Sequence, residues 1–359
     1  MTGTILVTGG AGFVGSNLVN SLLRDGHTVT IFDAFSRPGS ERNLAWLSSQ
    51  HRNGHLRYIQ GDVRDFDALR AAAQGADTIY HLAAQVAVTS SVTDPRTDFE
   101  INALGTLNLL ESARLSGRHP IVVFTSTNKV YGGMEDVAVV GGETRYEYRD
   151  FPYGIAESQP LDFHSPYGCS KGAMDQYVRD YARIYGLPTV VFRMSCIYGP
   201  RQFGTEEQGW LAHFMIAAAT GRPITIYGDG KQVRDVLFID DLVRAFRLAV
   251  EKIDVTAGQV YNIGGGPSNT LSIWREFGEY LAGLNGEPIP VRFERWRPGD
   301  QPCYVSDIRK AGRHMDWQPL VDKETGIRRL WEWVSSNGSL FQVLTVDGAL
   351  QVMAEEKIA

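Results

Sequence analysis

Thr4-Ile5-Leu6-Val7-Thr8-Gly9-Gly10-Ala11-Gly12-Phe13-Val14-Gly15 decides how the rest of the chain is read. Thr4–Val7 is a short apolar run with β-branched residues, the pattern of a buried strand. Three glycines follow at Gly9, Gly12 and Gly15, and Phe13, Val14, Leu18, Leu22 and Leu23 then recur at helical spacing. Gly26 closes that helix, and His27–Phe32 reads as a second strand ending in Asp33. Glycines at such a turn let backbone approach a pyrophosphate without a Cβ between them. The helix after the turn points free N–H groups and the positive end of its dipole at the phosphates. Gly15 lets helix and strand pack closely, and Asp33 can accept hydrogen bonds from both hydroxyls of an adenosine ribose. A 2′-phosphate would face that carboxylate, so NAD is favoured over NADP; the nearby Arg37 weakens the preference a little. A tight turn with no ligand is the bland alternative. The strand before, the helix after and the acidic residue on the next strand together favour a dinucleotide.

Outward from this unit, strand and helix signals keep alternating. Leu56–Gln60, Thr78–Leu82, Ile121–Phe124 and Thr189–Arg193 read as strands. Phe66–Ala73, Phe99–Ala113 and Tyr167–Tyr185 read as helices. The fold class expected is α/β, a Rossmann-type doubly wound parallel sheet with a smaller mixed α/β substrate lobe. After Arg193, glycine and proline cluster and the rhythm breaks, with helical patterns near Leu211–Ala219 and Leu271–Leu281. The expected division is 1–193 with 233–263 for the dinucleotide domain and 194–232 with 264–337 for the lobe. Residues 338–359 are set aside as a C-terminal tail, with helix, loose tail and oligomer contact all left open. Ligand belongs in the crevice between the two lobes.

Composition excludes several classes. The 359 residues carry 35 Lys and Arg against 41 Asp and Glu, a net charge of −6, and 43% are hydrophobic. That suits a large globular core and argues against a nucleic-acid partner, which calls for a basic patch. The longest apolar stretch, around 210–219, contains His213 and is too short to span a bilayer, so no membrane partner is expected. The N-terminus lacks a basic n-region and an apolar h-region. Cys169, Cys196 and Cys303 are scattered, without metal-ligand or disulfide spacing, so no metal and a cytoplasmic setting are expected.

Tyr167-Gly168-Cys169-Ser170-Lys171 places Tyr167 and Lys171 four residues apart, on one face of a helix. An ammonium beside a phenol favours the phenolate, and a phenol titrating near neutrality can take an alcohol's proton. Alcohol oxidation needs that base together with a hydride acceptor, which the glycine turn would bring. Thr127 stands at the carboxyl end of the fifth strand, where its hydroxyl could bond the reacting oxygen. The alternative for Thr127 is a turn or helix cap, and for the Tyr–Lys pair an ordinary helix pair.

These residues carry a resemblance. From Thr4 to about Trp333 the chain resembles the extended short-chain dehydrogenases/reductases that modify nucleotide sugars. The likeness includes Asp62-Val63, His81-Leu82-Ala83-Ala84, Tyr198-Gly199-Pro200-Arg201 and Arg297-Pro298-Gly299-Asp300. It implies adenine contacts from Asp62 and Val63, and a path along the NAD phosphates and ribose for Leu82, Ala83 and Ala84. Phe13, Val14, Ser36, Ser126 and Met194 complete the cofactor set. The resemblance also implies that Arg234 and Arg297 clamp the substrate's diphosphate, as forked guanidinium groups suit. Gln85, Ser90, Asn128, Cys196, Arg201 and Gln202 complete the substrate set.

Three reactions share that scaffold: 4-epimerisation, 4,6-dehydration and 2-epimerisation. Dehydratases of the family carry Asp-Glu directly after the catalytic Thr; here Asn128 and Lys129 stand there, so dehydration is argued down. The resemblance is strongest to the 2-epimerases of the CDP-paratose/CDP-tyvelose type, through Ser126–Gly132, Glu143–Tyr146, Leu161–Gly172, Arg201–Phe203, Gln208–Trp210 and Gly230–Asp235. Cys196 stands where 4-epimerases usually place Asn and 2-epimerases generally Ser. The expected activity is NAD-dependent 2-epimerisation of a nucleotide-diphosphate hexose, with a UDP-glucose-type 4-epimerase and a non-catalytic NAD-binding regulator as alternatives. His164 reads as structural rather than as a second acid. Leu104, Leu107, Val178 and Tyr181, on the two helices through which the resembled family pairs, point to a homodimer or homotetramer.

Overall fold

Ile5 and Val7 pack into one apolar cluster and Leu6 into another, and all three are buried. The same alternation recurs in Val122, Val123 and Phe124. A strand whose two faces are both apolar needs a helical layer on each side. The chain builds that sandwich in the computed structural model, which describes residues 3–297 and 300–341. Helices Phe13–Arg24 and Ile239–Glu251 cover one face of the sheet; Phe66–Ala73, Gly105–Leu115 and Ser165–Tyr185 cover the other.

Among the described residues the sheet has seven strands, all parallel. Their spatial order is Gln259–Ile263, Thr189–Met194, Ile121–Thr127, Thr78–His81, Thr4–Thr8, Thr28–Asp33 and Leu56–Gln60. The order reverses between Thr4–Thr8 and Thr78–His81. Connections leave these two strands in opposite directions there, and a crevice opens at their carboxyl ends. Gly9 sits on that rim with φ +69°, and a Cβ on it would lie 2.7 Å from the Ala83 nitrogen.

Local signals fix the helix ends. Asp65 accepts a hydrogen bond from Ala68 N at 3.0 Å and caps Phe66–Ala73, an interaction worth about 1 kcal/mol. Ser165–Tyr185 starts with Pro166 in its first turn and stops at Gly186, whose φ of +66° is the left-handed ending that glycine adopts without strain. A buried ion pair locks this helix to the sheet: Arg193 donates to both Asp175 oxygens at 2.9 and 2.8 Å, and to Tyr131 Oη at 3.0 Å. No helix among the described residues is long and apolar enough to cross a membrane.

The structure corrects three sequence expectations. Val233–Phe238 does not return to the large sheet. It is central to a second sheet, parallel to Cys196–Tyr198 and Cys303–Tyr304 and antiparallel to Thr270–Ser272. The return comes with Gln259–Ile263, because helix Ile239–Glu251 must first cross the face of the large sheet. A hairpin of Val139–Gly141 and Tyr146–Tyr148 belongs with the lobe, where Tyr146 N donates to Lys231 O at 3.1 Å. Finally, Phe99–Ala113 is not one continuous α-helix. Pro95–Phe99 is α-helical, Glu100–Leu104 is a π-helical turn, and Gly105–Leu115 resumes the α-helix. Gly105 sits where a Cβ would meet Val63 Cγ2 at 2.5 Å, so the helix passes close to the loop after the third strand.

Two of the expected pairing residues are also placed differently. Val178 and Tyr181 are buried against the sheet, Leu107 is half-buried, and Leu104 is exposed. At the far end, Leu340 O accepts from Arg42, and Phe341 packs on Phe203 and Trp333. The rest of the expected tail lies outside the described residues, as do Pro298 and Gly299 of the quoted motif.

Candidate active site

The crevice at the strand reversal is a cavity of about 480 Å³. Every residue assigned to the cofactor from the sequence lines it: Gly9, Gly12, Phe13, Val14, Gly15, Asp33, Ser36, Arg37, Asp62, Val63, Leu82, Ala83, Ala84, Ser126, Tyr167, Lys171 and Met194. Gly15 is held so close to the turn that a Cβ would lie 2.2 Å from Gly9 O. Helix Phe13–Arg24 begins at Gly12 with no side chain capping it, so its first N–H groups face the cavity as an anion site. Asp33 Oδ2 accepts from Ala11 N and Oδ1 from Phe35 N, both at 2.9 Å. Burial pushes the Asp33 carboxyl above its ordinary range, and these two bonds only partly offset it. The bonds also fix the carboxylate's orientation and leave acceptor capacity on each oxygen for a diol. Asp62 is turned instead to Arg64, at 2.6 Å, and that pairing lowers its carboxyl.

A polar ligand suits this cavity. Ser126 Oγ, Asn43 Oδ1 and Gln202 Oε1 are buried on its walls and, among the described residues, have no hydrogen-bond partner. Buried polar atoms are seldom left so, and each costs about 1–3 kcal/mol unless a ligand or water satisfies it.

Tyr167 and Lys171 occupy the first two turns of helix Ser165–Tyr185, at the inner end of the cavity. Thr127, on the last residue of its strand, eases the ionisation of the Tyr167 phenol. The bland alternative for Thr127 holds at the same time: its Oγ1 accepts from Lys129 N at 3.2 Å and caps the turn Asn128–Tyr131. Burial works against the expected phenolate. Burial pushes the Tyr167 phenol up to about 12; Thr127 and Arg37 work against the rise and Asp98 adds to it, while Lys171 is not among the groups that shift it. The Lys171 ammonium lies 4.2 Å from the centroid of the Phe124 ring instead, and burial pushes it down to about 7 against the pull of Asp175 and Asp98. Spacing put the two side chains on one face, but desolvation outweighs their mutual charge effect.

The substrate set divides. Arg201 and Gln202 line the cofactor cavity. Arg201, with φ +72°, lays its guanidinium 4.2 Å over Trp46 and 5.8 Å from Trp333. Gln85 closes its own loop, its amide bonded to the Ala87 backbone at 2.8 and 2.6 Å. Ser90 Oγ donates to Glu207 Oε2 at 3.0 Å and ties the large domain to the loop before Trp210. Beyond Thr127 and Asn128 lies a second group. Arg234 Nη2 bonds Asp300 at 2.9 Å. Cys196 is beside Arg234 and Lys129, its thiol pushed up chiefly by burial. The Lys129 ammonium is pushed down to about 8, first by burial and then by Arg234. Arg297 is further out, 3.8 Å over the Tyr227 ring and bonded to Glu206 at 3.4 Å. His164 pairs with Asp162 at 3.0 Å on the surface.

Sequence reading missed the layer behind the pair. Asp98, Asn102 and Ser170 form a buried network there: Ser170 Oγ donates to Asp98 Oδ2 at 2.6 Å and Asn102 Nδ2 to Asp98 Oδ1 at 3.0 Å. The signal available was a polar stripe, Asp98 and Asn102 four apart on a helix otherwise read for its apolar face. Trp46 and Trp333, stacked on Arg201, carried no motif at all.

Comparison with known proteins agrees with this geometry. Residues 5–264 match the family described as NAD dependent epimerase/dehydratase. CDP-paratose 2-epimerase of Salmonella typhi is 44% identical over 341 residues, covering 92% of this chain and 99% of that protein. The crystal structure of UDP-glucose 4-epimerase from Thermotoga maritima with UDP-glucose superposes with a TM-score of 0.80 at 31% identity, covering 93% of this chain and 99% of that one. UDP-glucose 4-epimerase of Thermus thermophilus, solved in complex with NAD, superposes with a TM-score of 0.76 at 33% identity, over 92% of this chain and 98% of that one. With the glycine turn, Asp33 and the Tyr167–Lys171 pair gathered on one cavity, the chain belongs to the NAD dependent epimerase/dehydratase family.

Proposed function

We propose that this enzyme is an NAD-dependent 2-epimerase of a nucleotide-diphosphate hexose, of the CDP-paratose/CDP-tyvelose type. The observation that carries the reading is the 44% identity to CDP-paratose 2-epimerase over nearly the full length of both chains. Asn128 and Lys129 in place of a carboxylate pair support it against dehydration. NAD, held by the uncapped helix start, Asp33 and the walls around Ser126, supplies the position that accepts the sugar's C2 hydrogen and gives it back. Tyr167, as phenolate, takes the proton of the C2 hydroxyl and later returns it; the positive nicotinamide ring of NAD would favour that ionised form against the burial that opposes it. Thr127, at the carboxyl end of its strand and close enough to the phenol to ease its ionisation, hydrogen-bonds the sugar oxygen. Lys171 holds its ammonium behind the phenol, in a dry site where a fixed charge acts strongly. The flat 2-keto sugar turns over before the hydrogen returns, so its opposite face is presented. Arg234 and Arg297 bind the diphosphate once Asp300 and Glu206 release them.

The same reading includes a homodimer or homotetramer in the cytoplasm. Phe99, Leu104, Tyr177 and Ile184 are exposed apolar residues on the paired helices, and the three cysteines are unpaired thiols, as a reducing compartment keeps them.

The test is incubation of purified enzyme with CDP-, UDP- and GDP-hexoses, each deuterated at C2, with NMR of the C2 and C4 centres. The reading expects inversion at C2 with the label kept. Inversion at C4 alone would replace it with 4-epimerisation. Tyr167→Phe should lower turnover about a thousandfold with NAD still bound; near-full activity would remove the proton role.

A further inference from the structure

Lys171 is a buried cation, 3% exposed, without a carboxylate in direct contact among the described residues. A charge in that position needs compensation, since an unpaired buried ion costs several kcal/mol as an order of magnitude. The elements packed around it offer few groups that could compensate it. His81, on the strand Thr78–His81, is held neutral: burial pushes it down to about 3, and its ring bonds Thr8 at 2.7 Å and Thr106 at 3.0 Å. Phe124 offers only its ring. On the lysine's own helix, Asp175 is the stronger influence, but both its oxygens are held by Arg193 at 2.9 and 2.8 Å, so its charge is already matched. Tyr167 is not among the groups that shift the lysine. Asp98 remains. It is fully buried, no cation contacts it among the described residues, and its oxygens accept only from Ser170 and Asn102.

The local fold holds Asp98 in place. Asp94 caps the short helix Pro95–Phe99 by accepting from Thr97 N at 3.1 Å. The π-helical turn Glu100–Leu104 then carries Asn102 so that its amide reaches Asp98, Ser170 and Gln85 O at 3.0, 3.1 and 3.1 Å. Widened turns of this kind tend to mark functional positions. Ser170 lies between Tyr167 and Lys171 in sequence and bonds Asp98 on one side and Tyr167 O, at 3.2 Å, on the other.

We propose that Asp98 is a positioning residue, the counter-charge of Lys171, which keeps that ammonium charged behind Tyr167 and is itself oriented by Ser170 and Asn102. The inference rests on the assignment of Tyr167 and Lys171 as the working pair. Its first test does not depend on the substrate. Asp98→Asn, Lys171→Met and the double variant are unfolded in urea with NAD present. The two single substitutions should each strand a buried charge, and the double variant should be more stable than their sum by about tenfold in the unfolding constant. Additive effects would overturn the proposal. So would a double variant that folds no better than an Asp98→Asn protein unable to fold. The second test uses activity. Asp98→Asn should move the basic limb of the kcat/KM profile down by about one pH unit. Ser170→Ala, which removes the hydrogen bond but keeps the charge, should leave the limb in place. Equal shifts, or none, would reduce Asp98 to a packing role. An enzyme inactive on every hexose tested would sink the substrate reading, and the urea cycle would still decide this one.

Discussion

At the glycine turn, polar atoms are left open on the walls of a cavity: Ser126 Oγ, Asn43 Oδ1 and Gln202 Oε1 have no partner among the described residues. Under the smaller lobe, where Gln232 Oε1 and Gln301 Oε1 are also without a partner among the described residues, the charged groups are instead paired. Arg234 is held by Asp300 and Arg297 by Glu206, and the closure extends from Tyr227 to Glu206 and from Ser90 to Glu207. On the proposed function, the first region is preformed for a ligand that stays, and the second exchanges internal ion pairs for the phosphates of a ligand that comes and goes. Preorganised polar groups bind without reorganisation, whereas paired ones lose part of their binding free energy to the exchange.

This contrast predicts effects of different size and sign. Arg234→Ala should have the largest, lowering kcat/KM for the nucleotide sugar about a hundredfold, since a guanidinium is lost and Asp300 is left unpaired in a mostly buried site. Asp300→Asn should act in the opposite direction on KM, lowering it severalfold, because Arg234 is then free before the substrate arrives; steady-state kinetics on both variants would break the contrast if KM moved the same way. Next, Gly15→Ala forces a Cβ against Gly9 O and should cost about 1–3 kcal/mol, read as NAD lost on gel filtration with KM for the sugar little changed.

A smaller effect concerns pH. Lys171 titrates near 7 in the folded chain, below its ordinary range, so between about pH 7 and pH 10 the unfolded chain binds the extra proton. That group therefore contributes a stability that rises with pH through this window, and Lys129, at about 8, adds to the upper part. Melting curves should show the slope, and Lys171→Met should flatten its lower part. The smallest effect belongs to the rim: Arg64→Ala removes an exposed pair with Asp62 and should cost about 1 kcal/mol or less in urea unfolding, with salt abolishing the difference.

How much could be read in advance follows from how local each feature is. The strand, glycine turn, helix and Asp33 lie within one continuous stretch of thirty residues, and the backbone geometry they need is encoded there. The glycine turn and Asp33 were legible for that reason, whereas Asp62, Leu82 and Met194, far along the chain, came with the family resemblance. Val233–Phe238 was misplaced because an apolar strand pattern says nothing about its neighbours, and pairing with Cys196–Tyr198 and Cys303–Tyr304 is decided by distant segments. The Tyr167–Lys171 spacing was right, but its electrostatic consequence was not, since spacing carries no information on burial.

The amino-acid order alone determined the alternating α/β architecture, the dinucleotide turn, the preference of Asp33 for a free ribose and the face shared by Tyr167 and Lys171. Each depends on neighbours a few residues away, through helix period, glycine freedom or strand polarity. Only the tertiary structure decided the protonation of that pair, the network of Asp98 with Ser170 and the carboxylates that hold Arg234 and Arg297. Desolvation and ion pairing depend on which side chains meet across tens to hundreds of residues, and no local pattern specifies that.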